Sequence, residues 1–365
     1  MRVARRYLWL FLVSGVLFGA GQTLPAYGQD LPDDLSQLSL EELMQIDVIP
    51  VDVLGGHIHS KGEWMVGFRT MFMQMREVSH GHDAGPAEGH HSGHGDAHED
   101  GHGDEPGDGY MVTPTDMRME MHMAEIMYGV TNRLTMMVML PFERLSMDHQ
   151  TRTGEHFTTA SAGVGDVSIA AHYALKRSAK NYWVALLGMS LPTGSINRRD
   201  ETPMGTDQVL PYPMQIGSGT PDLLTGITYI HQRTAWSWGF HADGKVRLGR
   251  NTHQYRLGHE YHVGVWVTRR VTEWFAPTLH VDGHRTGDVR GADPALNPSM
   301  VPTADPTLQG DTHLSVVPIL NFHIPRGFLE NHRFTLQGSF PIHHPHTGIP
   351  LETTAQVMIA WQWTL

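Results

Sequence analysis

Residues 357–365 of this chain read Val-Met-Ile-Ala-Trp-Gln-Trp-Thr-Leu, and a large apolar side chain occupies every second position. Val357, Ile359, Trp361, Trp363 and Leu365 alternate with residues that are smaller, more polar or more flexible. In an extended strand, successive side chains point to opposite faces, so this period of two gathers the bulky residues on one face. The stretch therefore predicts an amphipathic β-strand with one strongly apolar side.

The same alternation returns along the whole chain after Gly62, in segments broken by Gly, Pro, Asn and Asp. Such segments are typical of strands that bury only one face. The pattern predicts about twelve strands, at 63–77, 114–128, 134–141, 163–175, 182–191, 222–232, 236–248, 259–268, 274–285, 312–323, 333–340 and 354–365.

The connections between these predicted strands alternate in length. The short ones are 129–133, 176–181, 233–235, 269–273 and 324–332, and the long ones are 79–113, 142–162, 192–221, 249–258, 286–311 and 341–353. Short turns at one end and long loops at the other are typical of outer-membrane barrels. We therefore predict an all-β fold: a closed antiparallel transmembrane β-barrel of about 12 strands, with short periplasmic turns and long extracellular loops.

The start of the chain predicts export. Arg2, Arg5 and Arg6 precede an apolar run from Tyr7 to Ala20, which is shorter than the roughly 20 residues of a spanning helix. We expect a signal peptide at 1–28 and a periplasmic lead-in with a short helix at 29–61. The barrel would then occupy 62–365.

The composition limits the partners. The net charge of −12 argues against binding to nucleic acid, and an exported chain without cysteine must gain its rigidity without disulfides. The counts of 26 His and 21 Met point to soft or borderline metals, because imidazole and thioether groups are their ligands.

Several motifs, taken in order, resemble one family. Gly163-Val164-Gly165-Asp166, Leu191-Pro192-Thr193-Gly194 and Gln215-Ile216-Gly217-Ser218-Gly219 followed by Asp222 are similar to the outer-membrane transporter family named for the meta-pathway of phenol degradation. The resemblance spans roughly residues 60–365 and implies an outer-membrane barrel channel. From the residues themselves, we expect the glycines to allow close backbone approach and the aspartates to accept backbone N–H groups, rather than to hold phosphate.

A tract rich in His, Asp, Glu and Gly at 79–109 forms the first predicted extracellular loop, and its composition is typical of metal binding. In a closed barrel, the last loop emerges beside the first, so the two histidine clusters should converge at one mouth. We predict no required cofactor, with copper or zinc bound in these loops. The candidate metal ligands are His80, His82, His90, His91, His94, His98, His102, His343, His344 and His346.

The charged and imidazole side chains within the strands are candidates for the lumen, because charged residues avoid lipid. The lumen-lining candidates are Arg69, Arg118, Glu120, His122, His172, Arg247, His259 and His280. On this basis the methionines at 117, 119, 121 and 123 should face lipid, since they alternate with Arg118, Glu120 and His122. The methionines of the first strand share the face of Arg69 instead.

The sequence thus favours an outer-membrane channel for small solutes, with a link to copper or zinc through its histidine-rich mouth. The alternatives are a non-transporting outer-membrane metal-binding protein and an outer-membrane enzyme. We expect no enzymatic activity, because the chain has no nucleophile motif and no cysteine. The expected partners are outer-membrane lipid and lipopolysaccharide, the outer-membrane assembly machinery, and small solutes or metal ions.

Overall fold

The computed structural model describes residues 58–77, 110–178, 180–233, 235–345 and 351–365. The predicted signal peptide, nearly all of the predicted lead-in, the loop at 79–109 and His346 lie outside these residues. The division of the chain into these segments therefore stays a prediction.

Fifteen strands are present in the described residues. They are β1 (Trp64–Glu77), β2 (Val112–Thr131), β3 (Leu134–Thr151), β4 (His156–Val164), β5 (Ser168–Arg177), β6 (Asn181–Ser190), β7 (Arg199–Thr202), β8 (Gly205–Val209), β9 (Asp222–Gln232), β10 (Trp236–Arg247), β11 (Glu260–Arg269), β12 (Phe275–Thr286), β13 (Asp311–His323), β14 (His332–His343) and β15 (Leu351–Thr364).

Twelve of these strands form a closed antiparallel ring, which confirms the predicted fold class. Its order is β1-β2-β3-β5-β6-β9-β10-β11-β12-β13-β14-β15, and β15 pairs back to β1 from Met65 opposite Thr364 to Glu77 opposite Leu351. Closure leaves the ring without unpaired strand edges, so every strand finds hydrogen-bond partners on both sides.

The outer surface of the ring is apolar. Exposed side chains include Phe68, Leu140, Leu187, Val263 and Ile359, which alternate along their strands with buried, inward residues. Aromatic pairs such as Trp64 with Tyr128 gather at the end of the short turns, where their ring centroids are 4.6 Å apart. An apolar band bounded by aromatic residues matches hydrocarbon surroundings and an interfacial girdle. Within the described residues, no helix combines the length and the hydropathy needed to cross a bilayer.

The third predicted strand is too short. β3 continues from Leu134 to Thr151 and turns back as β4, so most of the predicted loop 142–162 is a hairpin. β3 pairs with β5 up to Met139 and with β4 from Phe142 onward. The charges of Glu143 and Arg144 interrupt the apolar alternation, so the strand pattern in the sequence ends at residue 141 although the strand continues.

The long connections fold over the outer end of the ring. A loop carrying the hairpin β7–β8 and a 3-10 turn at Tyr212–Met214 packs inward, and Met214 is completely buried. Tyr212 contacts Tyr255 of the next long loop, with ring centroids 4.9 Å apart. These contacts make the outer end a structured mouth.

Candidate functional site

The inner face of β1 to β3 is lined by methionine. Register places Met73 opposite Met119 and Met75 opposite Met117, and Met117 lies opposite Met147 of β3. Met117, Met147 and Met214 belong to one buried cluster that seats the long loop on the wall. We call this the methionine wall; its members are Met65, Met71, Met73, Met75, Met117, Met119, Met121, Met123, Met127, Met137, Met139 and Met147.

This wall corrects the prediction for β2. Met117 and Met127 are buried with Glu125 on the inner face, so Arg118, Glu120 and His122 of opposite parity point outward. The prediction failed because β2 is 20 residues long, and its outer part carries charges beyond the span of the apolar band. There Arg118 pairs with Asp148 at 3.3 Å and Arg144 with Glu120 at 3.7 Å.

His122 has a different outward environment from that of Arg118 and Glu120. Its ring stacks between Phe68 and Phe142 with centroid distances of 6.2 and 6.4 Å, and its Nδ1 lies 3.0 Å from the Thr70 hydroxyl. An imidazole ring can therefore sit on an apolar surface when its polar atom has a neighbouring partner.

Four predicted lumen residues do face inward: Arg69, His172, Arg247 and His280 are all buried. Arg69 forms an ion pair with Glu125, whose second oxygen accepts a hydrogen bond from Gln362 at 3.2 Å. Arg69 belongs to β1, Glu125 to β2 and Gln362 to β15, so these hydrogen bonds span the β1–β15 strand pair that closes the ring. A buried ion pair with further hydrogen bonds is the arrangement that offsets the cost of removing charges from water.

Arg247 joins three strands near the outer end. Its guanidinium donates to Asp222 of β9 at 2.5 Å and to Glu260 of β11. Asp222 also accepts a hydrogen bond from the Thr220 hydroxyl at 2.8 Å. The inward charges at this level are therefore mutually compensated.

His259 is not a lumen residue of a strand. It precedes β11 and has the parity of Tyr261 and Val263, which are exposed on the outer surface. Its Nδ1 accepts a hydrogen bond from the backbone N–H of Arg247 at 3.1 Å. Burial and the neighbouring positive charges of Arg256, Arg290 and Arg247 lower the pKa of His259, which favours this neutral, accepting form.

The inward surface of β10 to β13 carries histidine and aspartate side chains, so it is polar where the methionine wall is apolar. We call it the histidine–acid wall; it comprises His241, Asp243, His262, His280, Asp282, His284, Asp311 and His313. Register aligns Asp243 with His262, His262 with His284, and His284 with His313. The rings of His262 and His284 stack at 4.3 Å between centroids.

His344 joins this wall and His343 does not. His344 donates through Nε2 to Asp311 at 2.6 Å, and its Nδ1 lies 3.1 Å from Glu352, whereas His343 is exposed at the end of β14. Burial alone would lower the pKa of His344, but the Asp311 and Glu352 carboxylates outweigh it and raise the pKa. The predicted convergence of the loop histidines stays a prediction, because the other members lie outside the described residues.

A cavity of about 360 Å³ lies between the two walls beneath the outer loops. Met75, Met117, Met119 and Met147 line one side. The lining also contains charged and imidazole residues, namely Arg247, Glu260, Asp311 and His344. The described part of the mouth thus offers a solute both apolar and ionic surface.

The three glycine motifs meet at the outer ends of β5, β6 and β9. Asp166 accepts hydrogen bonds from the backbone N–H groups of Gly194 and Ser218, both at 2.8 Å, and from the Ser218 hydroxyl at 2.6 Å. A Cβ on Gly194 would lie only 2.6 Å from the Cα of Gly217, so the two backbones can approach only because both residues are glycine. The predicted structural role of these motifs is confirmed.

Several inward residues were not identified from the sequence: His241, Asp243, His262, Asp282, His284, Asp311 and His313. The signal was present as alternation, since His280, Asp282 and His284 occupy every second position of β12 and Asp311 and His313 do so in β13. What alternation could not provide was the register that brings neighbouring strands together.

The comparisons with known proteins found one family model and several solved structures that are similar to this chain. The family model for the MetA pathway of phenol degradation matches residues 101–326. An outer membrane channel from Pseudomonas putida F1 superimposes with a TM-score of 0.56 at 14% identity, covering 87% of this chain and 100% of that chain. The toluene transporter TbuX of Ralstonia pickettii gives a TM-score of 0.39 at 10% identity, with coverage of 84% and 90%.

No curated protein sequence matches this chain. At 14% identity, the likeness to the Pseudomonas channel shows a shared fold. Together with the family match, it places the barrel in the outer membrane, where lipid surrounds its apolar face. Because the family model covers more than half of the sequence, the chain belongs to the MetA-pathway of phenol degradation family.

Proposed function

We propose that this protein is an outer-membrane channel for small solutes and that transition-metal cations, copper or zinc, are among them. The observation that carries the proposal is the cavity between the methionine wall and the histidine–acid wall. The Asp311 carboxylate and the His344 imidazole in its lining suit cations, and its thioethers suit soft ions or apolar groups. The acidic, histidine-rich composition of 79–109 also favours the selection of cations.

The width of the ring supports small solutes only. Twelve strands enclose a bore between the filled eight-stranded barrel and the open barrel of about 16 strands. Inward residues also narrow the described lumen, since Arg69, Glu125 and His172 are buried against their neighbours. Selection by charge and hydrogen bonding, without bond making, is the chemistry this lining can perform.

Conductance of the purified, folded protein in planar bilayers tests the proposal. We expect discrete openings and a reversal potential displaced toward cation selectivity in a KCl gradient. Asp311→Asn removes a carboxylate from the cavity and should reduce the displacement. Asp207→Asn, on the exposed hairpin β7–β8, is the matched control and should leave it unchanged. A folded protein that carries no current would refute the channel.

A non-transporting metal-binding barrel is the second candidate, and one observation favours it. The polar groups toward the short-turn end, including Arg69, Glu125 and Gln362, are buried and bonded to each other. Such packing favours a blocked bore. Metal binding without conductance would support this candidate, whereas conductance would exclude it. The absence of enzymatic activity stays a prediction.

A further inference from the structure

We infer that His241, His280 and Asp282 form a binding site for one divalent transition-metal cation, of the class of Zn²⁺, in the histidine–acid wall. The inference rests on the proposed function for the route by which the cation arrives. The site itself is a property of three neighbouring strands, and binding can be measured without transport.

Three donor atoms converge at this point. The Nε2 atoms of His241 and His280 are 3.2 Å apart, and Asp282 Oδ1 lies 3.7 Å from the first and 4.0 Å from the second. A cation equidistant from the three atoms would be roughly 2.1 Å from each, which is the bond length of Zn²⁺ to imidazole nitrogen and carboxylate oxygen. The spacing therefore suits coordination of a cation of this size.

The environment of His241 prepares it as a ligand. Its Nδ1 lies 2.9 Å from Asp243 Oδ1, so the proton sits on Nδ1 and the lone pair of Nε2 faces the site. A carboxylate that orients an imidazole in this way is the usual companion of a histidine ligand. His241 and Asp243 share one face of β10, because they are two residues apart.

Asp282 supplies the negative charge. Its Oδ1 is buried and accepts no hydrogen bond within the described part of the chain, although it faces the two imidazoles. Its other oxygen lies 3.8 Å from His262 Nδ1. A buried carboxylate oxygen without a hydrogen-bond donor is costly unless a cation compensates it. A dication among two imidazoles and one carboxylate would provide that compensation.

Space for the cation comes from Gly264. This residue of β11 lies between His241 and Asp282 in the same cross-strand row. A Cβ at Gly264 would lie 2.3 Å from His280 Nε2 and 2.4 Å from His241 Nε2, so any side chain would occupy the meeting point of the donors. The ring of Trp266 closes the next row toward the short turns.

The donor set identifies the class of metal. Two imidazole nitrogens and one carboxylate oxygen suit Zn²⁺, Cu²⁺ or Ni²⁺ better than Mg²⁺ or Ca²⁺, which prefer oxygen ligands. Three protein ligands leave further positions for water or an arriving group. A row of possible metal ligands leads from the outer mouth toward the site. Its members, in order, are His344, Asp311, His313, His284 and His262.

Equilibrium dialysis of the full chain in detergent, with Zn²⁺ and a competing chelator, tests the site. We expect Gly264→Ala and Asp282→Asn each to lose one equivalent of Zn²⁺ per chain relative to the unchanged protein. Gly283→Ala is the matched control on β12, because its Cβ would meet nothing closer than the Val263 oxygen at 3.6 Å. This control should keep the full stoichiometry.

Heat-modifiable migration on gels verifies that each variant has folded. Asp282→Asn keeps the size of the side chain, so it provides the test if Gly264→Ala does not fold. Unchanged stoichiometry in a folded Gly264→Ala or Asp282→Asn variant, or an equal loss in Gly283→Ala, would overturn the site. A protein that shows the expected losses but carries no current would retain the site and refute the channel.

Discussion

The choice of face by single residues decides what the lumen contains. On β1, Arg69 lies opposite in parity to Trp64 and Phe68, and the apolar residues correctly indicated its inward direction. On β2, the same reasoning gave the wrong face to Arg118, because a charge outside the lipid band carries no information about direction. The buried Glu125, seven residues further along, was the better guide, since it lies within the apolar span.

A prediction at this scale concerns Asp243, which contacts His241 but not the proposed cation. Asp243→Asn should lower the affinity for Zn²⁺ by about 10–100-fold without changing the stoichiometry, because it weakens the orientation of the His241 ring. Competition titration against a chelator of known affinity measures the effect. Asp207→Asn, remote from the site, should have the affinity of the unchanged protein. Loss of a whole equivalent in Asp243→Asn would instead indicate that this carboxylate is itself a ligand.

The individual histidines of the site could be recognised from sequence, but their grouping could not. Alternation places His241 and Asp243 on one face of β10, and His280 and Asp282 on one face of β12. The contact between His241 and His280 depends on which residues of β10, β11 and β12 stand opposite each other. A shift of one strand by two residues would keep every side chain on its face and separate the donors.

At the scale of elements, the glycine motifs join the connection between β4 and β5 to both ends of the long connection between β6 and β9. Asp166 precedes β5, Gly194 follows β6, and Ser218 precedes β9. The motifs were recognisable from the chain, and so was the role of the aspartate as an acceptor. Their meeting at one point became evident only in the folded ring, where these strand ends are neighbours.

Removing the acceptor should loosen this junction. Asp166→Ala leaves the backbone N–H groups of Gly194 and Ser218 without their acceptor, so the free energy of unfolding should fall by about 1–3 kcal/mol. Urea titration followed by tryptophan fluorescence measures the loss. Asp207→Ala, which removes an exposed ion pair with Arg199, is the control and should change the midpoint little. Equal midpoints for the two variants would contradict the structural role of Asp166.

At the scale of the whole molecule, strand number and the parity of long and short connections were predictable, because each follows from local patterns. The hairpin β3–β4 and the inward packing of the long loops were not. Both depend on contacts outside the bilayer. There, the polarity of a residue does not indicate whether its side chain faces inward or outward, because neither face meets lipid. The methionine wall could not be predicted either, because a methionine side chain is equally suited to lipid, to the protein interior and to a metal ion.

The ring should not depend on its first long loop. β1 and β2 pair without interruption from Trp64 opposite Tyr128 to Arg76 opposite Asp116. Deletion of residues 80–108 should therefore leave heat-modifiable migration intact and reduce Zn²⁺ uptake to the equivalent held by the histidine–acid wall. Metal analysis of the folded deletion variant measures this remainder. Complete retention of uptake would exclude the loop as a metal carrier, and complete loss would exclude the wall.

The seam between β1 and β15 has a consequence for biogenesis. Met65 finds its partner, Thr364, almost 300 residues later in the chain. Until that partner has been synthesised and delivered, β1 carries backbone amides and carbonyls that hydrocarbon cannot satisfy. Translocation must therefore keep the early hairpins away from the bilayer core, or shield their leading edge, until the final strand arrives.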